Sequence, residues 1–128
     1  MGFRFLIVDD SATTRAIIRR TIRLTGVPAD VILEASNGIE ALQILTCEKV
    51  DLVLADLHMP LMDGVELMKH MQCDAALATI PVVIVSAEPN VSRIEELTKN
   101  GVRGHLRKPF TPESLRALIE ETLGVAHA

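Results

Sequence analysis

Short apolar runs alternate with segments of helical periodicity along the whole chain. Runs of this length are typical of strands that are buried on both faces of a parallel sheet. Between them, apolar residues recur every three or four positions, which favours helices. We predict strands at residues 4–9, 31–33, 51–55, 81–85 and 104–107. The alternation predicts an α/β fold, a doubly wound (βα)5 unit around one parallel five-stranded sheet.

Residues that favour helix starts mark the predicted helices. Ser11 is expected to cap a helix over 12–25. Asn37, with Glu40 three positions later, predicts a helix through Leu45 that opens with a capping box. The remaining helices are predicted to follow the loop 58–64, to extend over about 90–100 and to begin at Thr111-Pro112.

Four of the apolar runs end in residues that can take part in phosphoryl chemistry. Asp9 and Asp10 end the first, Asp56 the third, Ser86 the fourth and Lys108 the fifth. The carboxyl ends of parallel strands lie at one edge of the sheet, where open α/β sheets bind ligands. We therefore expect three carboxylates, a hydroxyl and an ammonium group to share one pocket.

The three carboxylates predict a cation site. Asp9 or Asp10 also fits as a cap of the helix near Ser11, but that explains only one of the two. Adding Asp56 brings mutual repulsion that a bound cation would relieve. Mg²⁺ (or Mn²⁺) suits this site because it accepts carboxylates, water and phosphate oxygens together.

Asp56 is the predicted phosphoacceptor. A carboxylate held near a cation and a lysine can attack phosphorus and form an aspartyl phosphate. Lys108 would supply positive charge and Ser86 a hydrogen bond. Taken singly, each residue also fits a plainer role, with Asp56 and Ser86 in turns and Lys108 solvated at the surface. Pro109 forces a turn after Lys108 and is a candidate for a cis bond.

Length and composition limit the class of protein. At 128 residues and 48% hydrophobic, the chain is expected to be a single domain over 1–128, with its core at about 4–123 and no output domain. The net charge of −4 argues against a nucleic-acid partner. Cys47 and Cys73 fit neither a metal spacing nor a disulfide framework. No apolar run reaches the roughly 18–20 residues of a membrane span, and we expect a cytoplasmic protein without membrane insertion.

Placed together, these residues closely resemble the response-regulator receiver domain, particularly the single-domain chemotaxis type. The resemblance extends over residues 4–123 and implies the flavodoxin-like receiver fold with strand order 2-1-3-4-5. The matching motifs, in chain order, are Val8-Asp9-Asp10-Ser11, Glu34-Ala35-Ser36-Asn37-Gly38, Asp56-Leu57-His58-Met59-Pro60, Met62-Asp63-Gly64, Val85-Ser86-Ala87 and Arg107-Lys108-Pro109-Phe110.

The resemblance implies a phosphoprotein of a two-component system or phosphorelay. Asp56 would accept phosphate from a phosphohistidine on a sensor histidine kinase or a histidine phosphotransfer protein. Asp10 and Asp56 would ligate Mg²⁺ through side chains, His58 through its backbone carbonyl, and Asp9 largely through water. Such a domain would catalyse only its own phosphorylation and dephosphorylation, so it is not expected to be an enzyme for other substrates.

The resemblance also implies a conformational switch. Backbone N–H groups of Leu57 and Ala87 would cradle the phosphoryl oxygens, and Ser86 would turn inward. The face formed by the fourth helix, fifth strand and fifth helix would then change its preference for an unidentified downstream protein. The resemblance further implies a cis bond between Lys108 and Pro109.

Several positions vary from the pattern of the family or within it. His105 stands where the family commonly has Tyr or Phe, and it fits a switch role and an exposed strand position equally well. His58 and Glu88 occupy variable positions at the pocket mouth, where we expect them to set the lifetime of the phosphoryl group. The first helix carries a basic face, either solvated or, as the resemblance implies, used to dock the phosphodonor. That face consists of Arg15, Arg19, Arg20 and Arg23.

Three alternative functions are compatible with parts of the sequence. A receiver-like interaction module that is never phosphorylated stays open. A phosphatase with an aspartyl nucleophile usually has a second Asp two residues later, where this chain has His58. A flavin carrier would need a phosphate loop and aromatic residues, but only 2% of this chain is aromatic. The phosphatase and the flavin carrier are therefore disfavoured.

Overall fold

Strands and helices alternate strictly in the computed structural model, which describes residues 2–87 and 90–124. The strands are β1 (Phe3–Val8), β2 (Ala29–Ala35), β3 (Leu52–Ala55), β4 (Val82–Ser86) and β5 (Gly104–Arg107). The helices are α1 (Ala12–Leu24), α2 (Gly38–Cys47), α3 (Gly64–Gln72), α4 (Val91–Lys99) and α5 (Pro112–Leu123).

All five strands form one parallel sheet in the order β2-β1-β3-β4-β5. The order and direction confirm the predicted fold class. In the register of the central strands, Val8 pairs with Ala55, and Ala55 pairs with Ile84. The carboxyl ends of β1, β3 and β4 therefore lie side by side.

The two faces of the sheet carry separate helix layers. Phe5 and Ile7 of β1 point into a cluster with α1 and α5, whereas Leu6 and Val8 point into a cluster with α2 and α3. Every residue of β3 and β4 is buried, which explains their continuous apolar runs. The doubly wound arrangement leaves the edge at the carboxyl ends of the strands open.

The predicted limits of β2 were too short. The strand extends over Ala29–Ala35 rather than residues 31–33. It lies at the edge of the sheet, pairs only with β1 among the described strands, and is mostly half-buried. Asp30 and Glu34 are tolerated there, and these polar positions interrupt the apolar run that marks a strand in the sequence.

Each helix begins at a side chain that caps its first turn. In every case the cap accepts a hydrogen bond from the backbone N–H three residues later. The caps are Ser11, Asn37, Asp63, Asn90 and Thr111. Among the described helices, none combines the length and apolarity needed to cross a membrane.

The capping-box prediction for α2 was wrong in one detail. Asn37 accepts the N–H of Glu40 as expected. The Glu40 carboxylate, however, accepts hydrogen bonds from the backbone N–H and hydroxyl of Ser36. A hydroxyl placed one residue earlier competes successfully for the carboxylate, and these bonds lower the pKa of Glu40.

Candidate functional site

Three carboxylates meet where β1 and β3 end. Asp9 and Asp10 follow β1, and Asp56 follows β3. One oxygen from each lies within 4.8 Å of the others. Asp9 is buried, with 2% of its surface exposed, whereas Asp10 is exposed. The cluster therefore has a buried floor and an open side, and its hard oxygen donors suit a divalent cation.

Lys108 reaches this cluster from the end of β5. Its Nζ lies 3.4 Å from Oδ2 of Asp9 and 3.8 Å from Oδ2 of Asp56. Because β4 separates β5 from β3, the two strands are about 10 Å apart, and only a long side chain can cross that gap. The predicted convergence of Lys108 with the carboxylates is therefore present.

Every polar group of Asp9 has a partner. Its Oδ1 accepts the N–H of Ser11 at 2.9 Å, its own N–H donates to the carbonyl of Ala35 at 3.0 Å, and its carbonyl accepts from Arg15 at 2.6 Å. With Lys108 on Oδ2, both carboxylate oxygens are engaged. The helix-capping alternative for Asp9 is wrong, because Ser11 is the cap of α1. The Asp9 carboxylate instead accepts the N–H of that cap residue and forms the floor of the site.

Opposing effects act on the carboxyl group of Asp56. Burial raises its pKa above the ordinary value, and the negative charge of Asp9 adds to the rise. Lys108 and the backbone N–H groups of His58 and Leu57 lower the pKa, but burial has the largest effect. The charged form of Asp56 is therefore disfavoured, and a cation in the cluster would offset that effect.

The hydroxyl of Ser86 is engaged with His105. Its Oγ lies 3.1 Å from Nε2 of His105, and Ser86 is buried at the end of β4. The backbone pairs the two strands directly beside this contact, with Lys108 N–H donating to the Ser86 carbonyl at 2.9 Å. The side chain at position 105 is half-buried and joined to the site through Ser86, so it is more than an exposed strand residue.

The loop after β3 is packed closely around Asp56. Leu57 is buried, and the N–H of His58 lies 3.4 Å from Oδ1 of Asp56. A Cβ at Gly64 would lie 2.4 Å from the Asp56 carbonyl oxygen, so only glycine fits there. The predicted metal-ligand role of the His58 carbonyl stays a prediction.

Of the remaining predicted site residues, the structure describes Ala87 and Pro109. Ala87 follows β4 and is exposed. The bond between Lys108 and Pro109 is cis, as expected. Glu88, expected to influence the phosphoryl lifetime, lies outside the described residues.

An apolar groove opens beside Lys108. It has a volume of about 230 Å³ and runs between α1 and the turn after β5. Ile17 is 54% exposed along its wall. The groove is lined by Thr14, Ile17, Lys108, Pro109 and Phe110.

Two of the basic residues of α1 form ion pairs that their spacing in the sequence does not indicate. Arg15 pairs with Glu34 at 3.0 Å, and Arg19 pairs with the other oxygen of the same carboxylate. The predicted basic face is therefore divided, since Arg15 and Arg19 form ion pairs with Glu34 on β2, whereas Arg20 and Arg23 are exposed and form no ion pair among those found in the described residues. The available signal was Glu34, an acid inside a half-buried strand that requires a partner.

The comparisons with known proteins agree with this geometry. The family model for the response regulator receiver domain matches residues 5–120. A chemotaxis protein CheY homolog of Campylobacter jejuni is 38% identical over 122 residues, covering 94% of this chain and 92% of that protein. CheY1 of Helicobacter pylori is 34% identical, covering 94% and 97%. A structure of CheY4 of Vibrio cholerae has a TM-score of 0.83 at 28% identity, covering 96% of this chain and 100% of that one. The chain belongs to the family of response regulator receiver domains.

Proposed function

We propose that this receiver domain signals by accepting a phosphoryl group on Asp56, in a reaction that depends on Mg²⁺ (or Mn²⁺). The observation that carries the proposal is the convergence of three carboxylates with one ammonium group. Oxygens of Asp9, Asp10 and Asp56 lie within 4.8 Å of one another, and Lys108 approaches two of these residues. Phosphoryl transfer requires chiefly positioning and charge neutralisation, which this set provides.

The donor atoms fit a small divalent cation. Mg²⁺ prefers a few carboxylates and keeps several waters, and the open side at Asp10 leaves room for them. Both oxygens of Asp9 are already engaged, by Ser11 and Lys108, which supports a contribution of Asp9 through water. Asp10 and Asp56, with the carbonyl of His58, are the proposed direct ligands. When bound, the cation would neutralise charge on the phosphoryl oxygens.

In the proposed reaction, a carboxylate oxygen of Asp56 attacks the phosphorus of a phosphohistidine. The new bond joins this oxygen to phosphorus, and the bond from phosphorus to the imidazole nitrogen breaks, so that the histidine leaves with the electron pair and takes up a proton. Lys108 would pair with a phosphoryl oxygen. The backbone N–H groups of Leu57 and Ala87 would bind the others, since backbone donors at strand ends suit anions.

The phosphodonor is proposed to be a sensor histidine kinase or a histidine phosphotransfer protein. The apolar groove supports a protein donor because it lies next to Lys108 and exposes Ile17. Arg20 and Arg23 are exposed on the same helix and would attract acidic residues beside the phosphohistidine. We place this exchange in the cytoplasm and assign no activity towards other substrates.

The proposed output runs through Ser86. Its hydroxyl is bonded to His105 before phosphorylation. A phosphoryl group on Asp56 would offer a stronger, charged acceptor, and Ser86 would turn towards it. His105 would then lose this partner, and the face formed by α4, β5 and α5 would change its affinity for a downstream protein.

Intact mass spectrometry after incubation with acetyl phosphate tests the proposal. We expect the wild-type chain to gain one phosphoryl group in the presence of Mg²⁺ and none after chelation with EDTA. Asp56→Asn should gain none under either condition. If Asp56→Asn gained the same mass as the wild-type chain, the assignment of Asp56 would be wrong.

A wild-type chain that gains no mass would leave two explanations, a receiver that requires its own donor or an interaction module that is never phosphorylated. Binding of beryllofluoride with Mg²⁺ distinguishes the two remaining explanations. A chain that binds this phosphoryl analogue has a competent site and requires its own donor. A chain that does not bind it would act without phosphorylation.

A further inference from the structure

We propose that Arg15 is a positioning residue that holds the Asp9-Asp10 peptide in place and so presents the Asp10 carboxylate to the divalent cation. The inference rests on the proposed cation site and assigns a new role beside it. Arg15 lies on α1, outside the cluster of carboxylates, and acts through the backbone.

The guanidinium of Arg15 joins two fixed points. One terminal nitrogen donates to the carbonyl oxygen of Asp9 at 2.6 Å, and Nε donates to Oε1 of Glu34 at 3.0 Å. Only 18% of the side chain is exposed. A planar guanidinium with several donors in a rigid fork can hold both acceptors in one geometry.

Glu34 is itself well anchored. It lies on β2 directly opposite Ile7 of β1, and its second oxygen pairs with Arg19. The position of Arg15 is therefore set by the sheet, and α1 is tied to β2 through two arginines. Removing either contact of Arg15 would loosen the link between this helix and the strand end that carries the acids.

The contact to the Asp9 carbonyl determines where Asp10 points. A peptide unit is planar, so fixing its carbonyl oxygen also fixes its N–H and the direction to the next Cα. The other groups of Asp9 are held by Ala35, Ser11 and Lys108. Arg15 holds the carbonyl of Asp9, which belongs to the peptide group that joins Asp9 to the exposed Asp10.

An electrostatic role and a positioning role of Arg15 predict opposite effects of its removal on Mg²⁺ affinity. A positive charge near a cation site repels the cation, so a purely electrostatic role means that removing Arg15 would tighten Mg²⁺ binding. A positioning role means that removing it would weaken binding, because the Asp10 carboxylate would lose its fixed direction. The sign of the change therefore separates the two roles.

The test is isothermal titration calorimetry of the metal alone, with MgCl₂ and no phosphodonor. The chain has no Trp or Tyr to report binding by fluorescence. We expect Arg15→Gln to weaken Mg²⁺ binding about 10-fold, the lower end for groups that orient metal ligands. Arg15→Lys keeps the charge but cannot hold both acceptors, so it should also weaken binding.

Arg19→Gln is the matched control, since it removes the same charge from α1 and a partner of the same Glu34. It should leave Mg²⁺ affinity unchanged or slightly tighter. Urea unfolding of each variant checks that it is folded. If Arg15→Gln does not fold, the Mg²⁺ affinity of Arg15→Lys tests the proposal instead.

Unchanged or tighter binding by folded Arg15→Gln and Arg15→Lys would overturn the positioning role while leaving the proposed function intact. If Arg19→Gln weakened Mg²⁺ binding equally, the positioning role would also be overturned, because loss of either ion pair with Glu34 would then be enough to cause the effect. If the wild-type chain bound no Mg²⁺, the proposed cation site and this inference would both be wrong.

Discussion

At the scale of single residues, Asp56 is an acid in a position that disfavours its charged form. Burial is the largest effect on its pKa, and the neighbouring Asp9 raises the pKa further. Lys108 offsets only part of this rise. Strain of this kind is typical of functional positions, where stability is sacrificed for chemistry.

Asp56→Asn is therefore expected to stabilise the metal-free protein. The folded chain binds a proton at Asp56 more tightly than the unfolded chain does, so stability falls as pH rises from the ordinary carboxyl range through the raised pKa. Above the raised pKa, the wild-type protein bears this loss in full. The neutral amide avoids it, and Tm should rise by a few degrees, corresponding to about 1 kcal/mol in a domain of this size.

Thermal unfolding followed by circular dichroism in EDTA measures this difference. The gap in Tm should narrow as the pH is lowered, and it should also narrow in saturating Mg²⁺, which stabilises the wild-type fold by binding it. Asp30→Asn, at an exposed position of β2, provides the same charge change as a control. A lower Tm for Asp56→Asn in EDTA would refute the account of Asp56.

Ser86 and His105 give a second prediction at this scale. His105→Phe keeps a ring but removes the imidazole nitrogen that contacts the Ser86 hydroxyl. In this variant Ser86 would not have to break a hydrogen bond to His105 before it binds the phosphoryl analogue. The affinity for beryllofluoride should therefore rise about 2- to 10-fold, which corresponds to the net free energy of one hydrogen bond. ¹⁹F NMR titration with Mg²⁺ present measures it. The gain should vanish when Ser86→Ala is added, and a gain that persists would contradict the exchange.

At the scale of secondary-structure elements, the loops after the strands determine the precision of the site. Gly64 begins α3 and lies against the carbonyl of Asp56, with 2.4 Å to the place where a Cβ would stand. Its N–H donates to the Leu57 carbonyl at 3.2 Å. The first turn of α3 and the loop after β3 are therefore in direct contact.

Gly64→Ala should damage both stability and the site. The added methyl group must push the Asp56 carbonyl away, which we expect to cost about 1–3 kcal/mol, as for overpacking elsewhere, and to weaken Mg²⁺ binding. Urea unfolding and calorimetric titration measure the two effects. Asn37→Ala, which removes the cap of α2, should cost about 1 kcal/mol with Mg²⁺ affinity unchanged. Equal Mg²⁺ affinity in Gly64→Ala would contradict the coupling of α3 to the site.

Most elements could be predicted from the sequence because local signals and the tertiary structure agree. The strands β3 and β4 are buried on both faces, so their apolar runs are continuous, and the caps at Ser11 and Thr111 follow from local hydrogen bonding. The limits of β2 could not be predicted in the same way, because an edge strand tolerates polar residues.

Part of the site also lay beyond sequence reasoning. Strand order implied that Asp9, Asp56 and Lys108 meet, since each follows a strand of one parallel sheet. The bond from Arg15 to the Asp9 carbonyl depends on how α1 crosses β2, which no local pattern determines. The pairing of Ser86 with His105 likewise depends on the side-chain conformations at the ends of β4 and β5.

At the scale of the whole molecule, the acidic pocket and the apolar groove lie side by side at one edge of the sheet. Lys108 is part of both sites. Its ammonium group lies near the carboxylates, and the same residue lines the groove. A donor that enters the groove would thus bring its phosphoryl group next to the charges that receive it. Small donors need only the pocket, whereas protein donors would use both.

Ile17→Asp should separate these two kinds of donor. Transfer from an autophosphorylated histidine kinase should slow about 10-fold, as expected for loss of an apolar anchor in an interface, whereas the rate with acetyl phosphate should not change. Leu24→Asp is the control, since Leu24 is 61% exposed on the same helix but lies outside the lining of the groove. Equal slowing with both donors would contradict a docking role and indicate a disturbed pocket.

The proposed function requires that the phosphoryl group resides on Asp56. Borohydride converts an aspartyl phosphate into homoserine, so reduction after treatment with acetyl phosphate and Mg²⁺, followed by peptide mass spectrometry, locates the acceptor directly. The account predicts homoserine at position 56, absent when Mg²⁺ is chelated or when no acetyl phosphate is added. Homoserine at Asp9, Asp10 or another acid, with Asp56 unmodified, would contradict it.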